Sequence, residues 1–95
     1  MNIGTTIRMM RLEKGISQGE LSRMIKISQT SLSQIENNIK SPSSITMKKL
    51  SQALKVPEVF FYFMSLDESD IPPEKKELYS VIYPSLQDMV RKLIV

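Results

Sequence analysis

Neither cysteine nor histidine occurs anywhere in the chain. Without cysteine there are no disulfides, no thiolate nucleophile and no cysteine–zinc site. Without histidine there is no Ser-His-Asp triad and no imidazole metal site, so an enzyme would have to rely on carboxylate or lysine chemistry. No recognisable motif places such a pair, and neither an enzyme activity nor a metal or other cofactor is expected. Long hydrophobic runs are missing too. The longest, from Val59 to Met64, falls far short of a membrane span, and the start Met1-Asn2-Ile3-Gly4 lacks the basic and apolar stretches of a signal peptide. A cytoplasmic protein with no membrane contact is expected.

What is present suits a small folded domain: 95 residues, 41% of them hydrophobic, make one ordinary unit and leave little room for a deep enzymatic cleft. Charge is unevenly placed. Residues 1–66 hold nine lysines and arginines against four acids, while residues 67–95 hold four against six, together giving the net +3. A basic body with an acidic tail fits a polyanionic partner for the body alone.

Hydrophobic spacing organises the chain into helices, and no stretch alternates long enough to argue a strand. Ile3, Ile7 and Met10 predict a helix over 3–14, ended by Gly15. Ser17 and Glu20 form a capping box opening a short helix with Leu21 and Ile25 inward. Ser28 caps a helix over 29–37 with Leu32 and Ile35 inward, and Asn37-Asn38 can end it in the left-handed conformation. Ser44 is expected to cap a fourth helix reaching Leu54, with Met47, Leu50 and Leu54 inward. Pro57 is expected in the first turn of a fifth, whose apolar residues are Val59, Phe60 and Phe63. The fold class is all-α: a five-helix body over 1–66, an acidic, proline-containing linker over 67–73, and a helical tail over 74–95. In the tail Leu78, Ile82, Leu86, Met89 and Leu93 recur every three or four residues. Pro84 interrupts that stripe and should split it into 74–82 and 84–94.

The stretch that speaks to function is 17–42. Two short capped helices joined through Lys26-Ile27-Ser28 make a helix-turn-helix unit, whose second helix can enter the major groove of DNA. At about 100° per residue, Gln29, Thr30, Ser33, Gln34 and Asn37 occupy one arc and Leu32 and Ile35 the other. The outward face is thus amides and hydroxyls without Lys or Glu. Such groups read base edges, glutamine or asparagine pairing with adenine through two bonds. A plain polar surface remains the alternative for this helix taken alone.

Ser17-Gln18-Gly19-Glu20-Leu21 followed by the run from Ile27 to Asn37 resembles the Xre/Cro family, which includes the lambdoid phage repressors. Arg11 with Gly15-Ile16-Ser17-Gln18 resembles the ending of that family's first helix, and residues 45–56 its fourth, so the likeness covers 3–65. The resemblance implies a five-helix lambda-repressor-like domain that binds a double-stranded DNA operator and regulates transcription, as a repressor, in a homodimer. By position it implies base contacts from Gln29, Thr30, Ser33 and Gln34. It implies backbone contacts from Gln18, Ser28, Ser31, Asn37 and Lys40, which set register without reading sequence. Arg11 and Glu36 match a pair often used as an internal salt bridge. Lys26 departs from the family's turn glycine, at a position that tends to need a positive φ, and Ser22 and Asn38 replace alanine and glycine.

The tail stripe is a candidate dimerisation surface, or else it folds back over Phe61 and Tyr62 and completes the core. An antitoxin whose tail binds a toxin, another protein partner at the tail, and an interaction module without DNA binding stay open as alternatives.

Overall fold

Serine hydroxyls set where three of the helices begin. Ser17 Oγ accepts from the Glu20 amide (3.0 Å), Ser28 Oγ from Ser31 (3.0 Å) and Ser43 Oγ from Thr46 (3.1 Å), each satisfying an amide that the first helical turn leaves without a partner. The computed structural model describes residues 1–94, so Val95, the end of the expected tail, lies outside the described residues. The body consists of α1 (Ile3–Glu13), α2 (Gln18–Met24), α3 (Gln29–Glu36), α4 (Ser44–Leu54) and α5 (Glu58–Met64). Two short 3-10 turns, Glu68–Asp70 and Pro73–Lys75, lead into α6 (Lys76–Ile94). All regular structure among the described residues is helical, as the sequence predicts.

Four helices stop by one device. Gly15, Lys26, Asn38 and Lys55 each adopt a positive φ of 57 to 69°. The next residue then returns its amide to a carbonyl five positions back: Ile16 to Arg11, Ile27 to Ser22, Ile39 to Gln34 and Val56 to Ser51. This is the Schellman arrangement, and glycine suits its left-handed position best because no Cβ crowds the carbonyl. Only one of the four positions is glycine. The left-handed turn expected at Lys26 is therefore present, carried by a lysine.

The expected inward residues of α1 to α4 converge as predicted: Ile7, Met10, Leu21, Ile25, Leu32, Ile35, Met47, Leu50 and Leu54 are buried in one core. Contact between α1 and α3 is close enough that a methyl on Gly4 would lie 1.9 Å from the Ile35 carbonyl oxygen. A buried hydroxyl pair, Ser65 and Thr6 at 2.9 Å, ties the end of α5 to α1.

Three expectations need correction. Ser43, not Ser44, caps α4, because Ser43 is the residue left extended after Pro42 (φ −69°, ψ 166°) while Ser44 is already helical. Pro57 is the residue before α5 rather than in its first turn. The helix is turned so that Phe61 and Met64 are buried while Val59 is exposed. Seven consecutive residues with few polar ones carry no usable periodicity. Finally, α6 runs unbroken through Pro84 instead of splitting. Proline lacks the amide that would reach the Ser80 carbonyl, at a cost of about 3 kcal/mol. Packing on either side offsets it: Tyr83 lies against Phe63 with ring centroids 5.5 Å apart, and Val90 joins the core. The fold-back reaches Phe63 rather than Tyr62, which is still exposed, and Phe61 is already within the body's own core.

Candidate nucleic-acid interface

Leu32 and Ile35 are buried at 0% and 2% exposure, and their packing fixes which way the rest of α3 faces. Gln29, Thr30 and Gln34 stand exposed on the opposite side, with Ser33 half-buried between them. Together with Gln18 from the start of α2 they line an open concavity. Asn37 is exposed just past the end of α3 and donates to Ser33 Oγ at 3.3 Å. Lys40 reaches back to Ser31 Oγ at 3.1 Å, which holds its ammonium near the N-terminal half of α3. Ser28 is exposed. Its oxygen accepts the capping bond, and such a hydroxyl keeps its own proton to donate.

Behind this face lies the ion pair expected from the sequence. Arg11 Nε donates to Glu36 Oε2 at 2.8 Å and Nη2 to Oε1 at 2.9 Å, both side chains buried, while Nη1 donates to the Ile16 carbonyl at 3.0 Å. Hydrogen bonding to Glu36 raises the guanidinium's pKa above its ordinary value despite the opposing effect of burial, with attraction to the carboxylate adding to it. A two-bond geometry of this kind is what makes a buried charge tolerable. Gln18 Nε2 donates to the same Glu36 Oε1 at 3.2 Å, and Gln29 Nε2 donates to Gln18 Oε1 at 3.4 Å. A carboxylate can only accept, so Gln18 must turn its NH2 inward and its oxygen toward Gln29. The amide orientation of the first residue of α3 is thereby linked to the core.

Two contributors escaped the sequence reading. Asn38 Oδ1 accepts from the Gly4 amide at 3.0 Å and its Nδ2 donates to Thr5 Oγ1 at 2.9 Å, binding the loop after α3 to the start of α1. Its partners lie more than thirty positions away in the chain, and no local signal points to them. The second is Arg23: its Nη1 and Gln29 Oε1 both flank Gly19, at 3.4 and 3.6 Å from where a Cβ would stand. The spacing of Gly19 and Arg23 by four residues on one helix, bringing them onto one face, is the signal that could have found it.

A helix-turn-helix family model matches residues 7–61. Among curated relatives, the HTH-type transcriptional regulator SutR of Escherichia coli (strain K12) is 34% identical over 88 residues, covering 93% of this chain and 44% of SutR. The HTH-type transcriptional regulator RamB of Mycobacterium tuberculosis is 29% identical over 76 residues, covering 80% of this chain and 16% of RamB. This chain thus spans less than half the length of either relative. Among solved structures, the SinR protein/SinI protein complex contains a chain that superposes with a TM-score of 0.62 at 28% identity, over 87% of this chain and 80% of that one.

Proposed function

Because the chain belongs to the Cro/C1-type helix-turn-helix family and shares its all-helical, lambda-repressor-like fold, we propose that it binds an operator in double-stranded DNA and regulates transcription as a repressor. The observation that carries the reading is the outward face of α3, where amides and hydroxyls stand free of Lys and Glu. In the major groove Gln29, Thr30, Ser33 and Gln34 meet base edges. Gln18, Ser28, Ser31, Asn37 and Lys40 meet the sugar–phosphate backbone and set the register. Arg11 and Glu36 hold α3 against α1 and touch no DNA.

One such unit makes few phosphate contacts, and two of them on half-sites about one DNA turn apart are the usual remedy. In this reading residues 1–66 form the DNA-binding domain and 74–95 the dimerisation element, presenting Leu78, Ile82, Leu86, Met89 and Leu93. Their exposure, from 36% at Leu86 to 73% at Leu93, supports that use. A DNA ligand calls for a cytoplasmic protein. Separately, no helix among the described residues is long and apolar enough to cross a membrane.

Selection of bound sites from random DNA tests the proposal. A recovered motif with two-fold symmetry is expected; failure to enrich any sequence would sink it.

A further inference from the structure

Helix α6 meets its own body on one side only. The Tyr79 hydroxyl donates to the Leu66 carbonyl at 3.2 Å, the Tyr83 hydroxyl sits 3.1 Å from the carbonyls of Phe63 and Met64, and Val90 is buried. The open side carries Ile82, Leu86, Met89 and Leu93, spaced four, three and four apart as in the seam of a paired helix. Beside the N-terminal half of α6 runs an apolar groove of 260 Å³, walled by Ile71, Pro72, Leu78, Tyr79 and Ile82.

We propose that this groove receives the C-terminal half of α6 from a second copy of the chain, the two helices lying antiparallel about a two-fold axis near Leu86. The inference rests on the dimer reading above and specifies its geometry.

Register is the first argument. Leu93 lies seven positions after Leu86 and Tyr79 seven before it, each about 10 Å from the axis at 1.5 Å per residue. A two-fold rotation therefore brings Leu93 of each copy over the groove of the other. One surface supplies both projection and recess, as a closed symmetric interface requires. A parallel pair would set the two grooves side by side and leave both empty.

Charge is the second. Over residues 67–77, which lead into α6, Asp67, Glu68, Asp70, Glu74 and Glu77 outnumber Lys75, which lines the groove, and Lys76, whereas at the far end of the helix Arg91 and Lys92 outnumber Asp88. Antiparallel packing sets unlike ends together; parallel packing sets like beside like. Asp67 and Asp70 already face the Met1 ammonium at 3.3 and 3.4 Å, and Arg91 leans toward Glu13 at 3.9 Å. Glu77 lies about 180° round α6 from Leu86, so the groups left to meet across the axis are Glu68 and Glu74 on one copy and Lys92 on the other. Lys92 holds its own Asp88 at 3.0 Å, an exposed pair that contributes little and can be shared.

The absence of cysteine makes the test clean, since introduced thiols can react only with each other. Full-length Leu78→Cys and Lys92→Cys are oxidised separately and as an equal mixture. The mixture is expected to give about tenfold more covalent dimer than either variant alone. Equal cross-linking of each variant with itself would mean parallel helices and overturn the proposal. Sedimentation of the unmodified chain separates the remaining cases. A dimer whose variants cross-link in no tube overturns the antiparallel geometry and spares the dimer reading, whereas a monomer overturns both. As a second measurement, Lys92→Glu is expected to weaken the dimer and Lys92→Glu with Glu74→Lys to recover it; no recovery counts against the pairing. Both side chains are exposed, so the fold tolerates either change.

Discussion

Arg11 and Glu36 clasp each other through two parallel hydrogen bonds of 2.8 and 2.9 Å, and the Glu36 oxygen taken by Arg11 Nη2 is also the one that accepts from Gln18. A charge pair inside the domain is therefore continuous with the neutral groups on its surface. Three elements converge on it: α1 supplies the guanidinium, α3 the carboxylate and α2 the amide.

Removing one partner strands the other in the core. Glu36→Ala is expected to cost roughly 3–5 kcal/mol of folding stability, read from urea denaturation midpoints. A cost under about 1 kcal/mol, no more than an exposed pair contributes, would show that the clasp does not hold the helices.

Gln29→Ala and Gln34→Ala should each weaken binding to the selected site by about 1–3 kcal/mol and leave random DNA unaffected. Titrations on both DNAs check this. Equal losses on the two would remove these residues from base reading.

Lys40 is held at the rim by Ser31, and in the proposed reading its charge meets the DNA backbone and not a base edge. Lys40→Ala is expected to weaken all DNAs alike and to flatten the plot of log affinity against log salt by about one. An unchanged slope would place Lys40 away from phosphate.

Lysine at a φ of 59° is strained, and Lys26 sits in the turn between α2 and α3. Lys26→Gly should raise stability by about 0.5–1 kcal/mol after allowing for the freedom glycine adds to the unfolded chain. Thermal melting reads this as an upward shift of several degrees for a domain of this size. Gly15→Ala, at φ 69°, should shift it the other way.

Much of this could be read from residue order. The capping serines at 17 and 28, the apolar spacing of α1 to α4 and the amide-rich run from Gln29 to Gln34 are local signals, each settled within one or two helical turns. The failures have local causes as well. Ser43 and Ser44 are equally good caps on paper, and only the backbone after Pro42 chooses between them. Pro84 reads as a helix breaker because its penalty is local, while the compensation from Tyr83 and Val90 comes from residues distant in the chain. The roles of Asn38 toward Gly4 and of Gln18 as a bridge between Glu36 and Gln29 depend on tertiary approach, which no short window encodes.

The tyrosine hydroxyls that fasten α6 to main-chain carbonyls near the end of α5, with Val90 seated further along, turn the tail into a bracket instead of a tether. In the proposed dimer, two chains joined through such brackets cannot swivel to suit whatever DNA they meet. The gap between half-sites is then dictated by the protein, and an operator whose spacer gains or loses a base pair must twist or bend to be held.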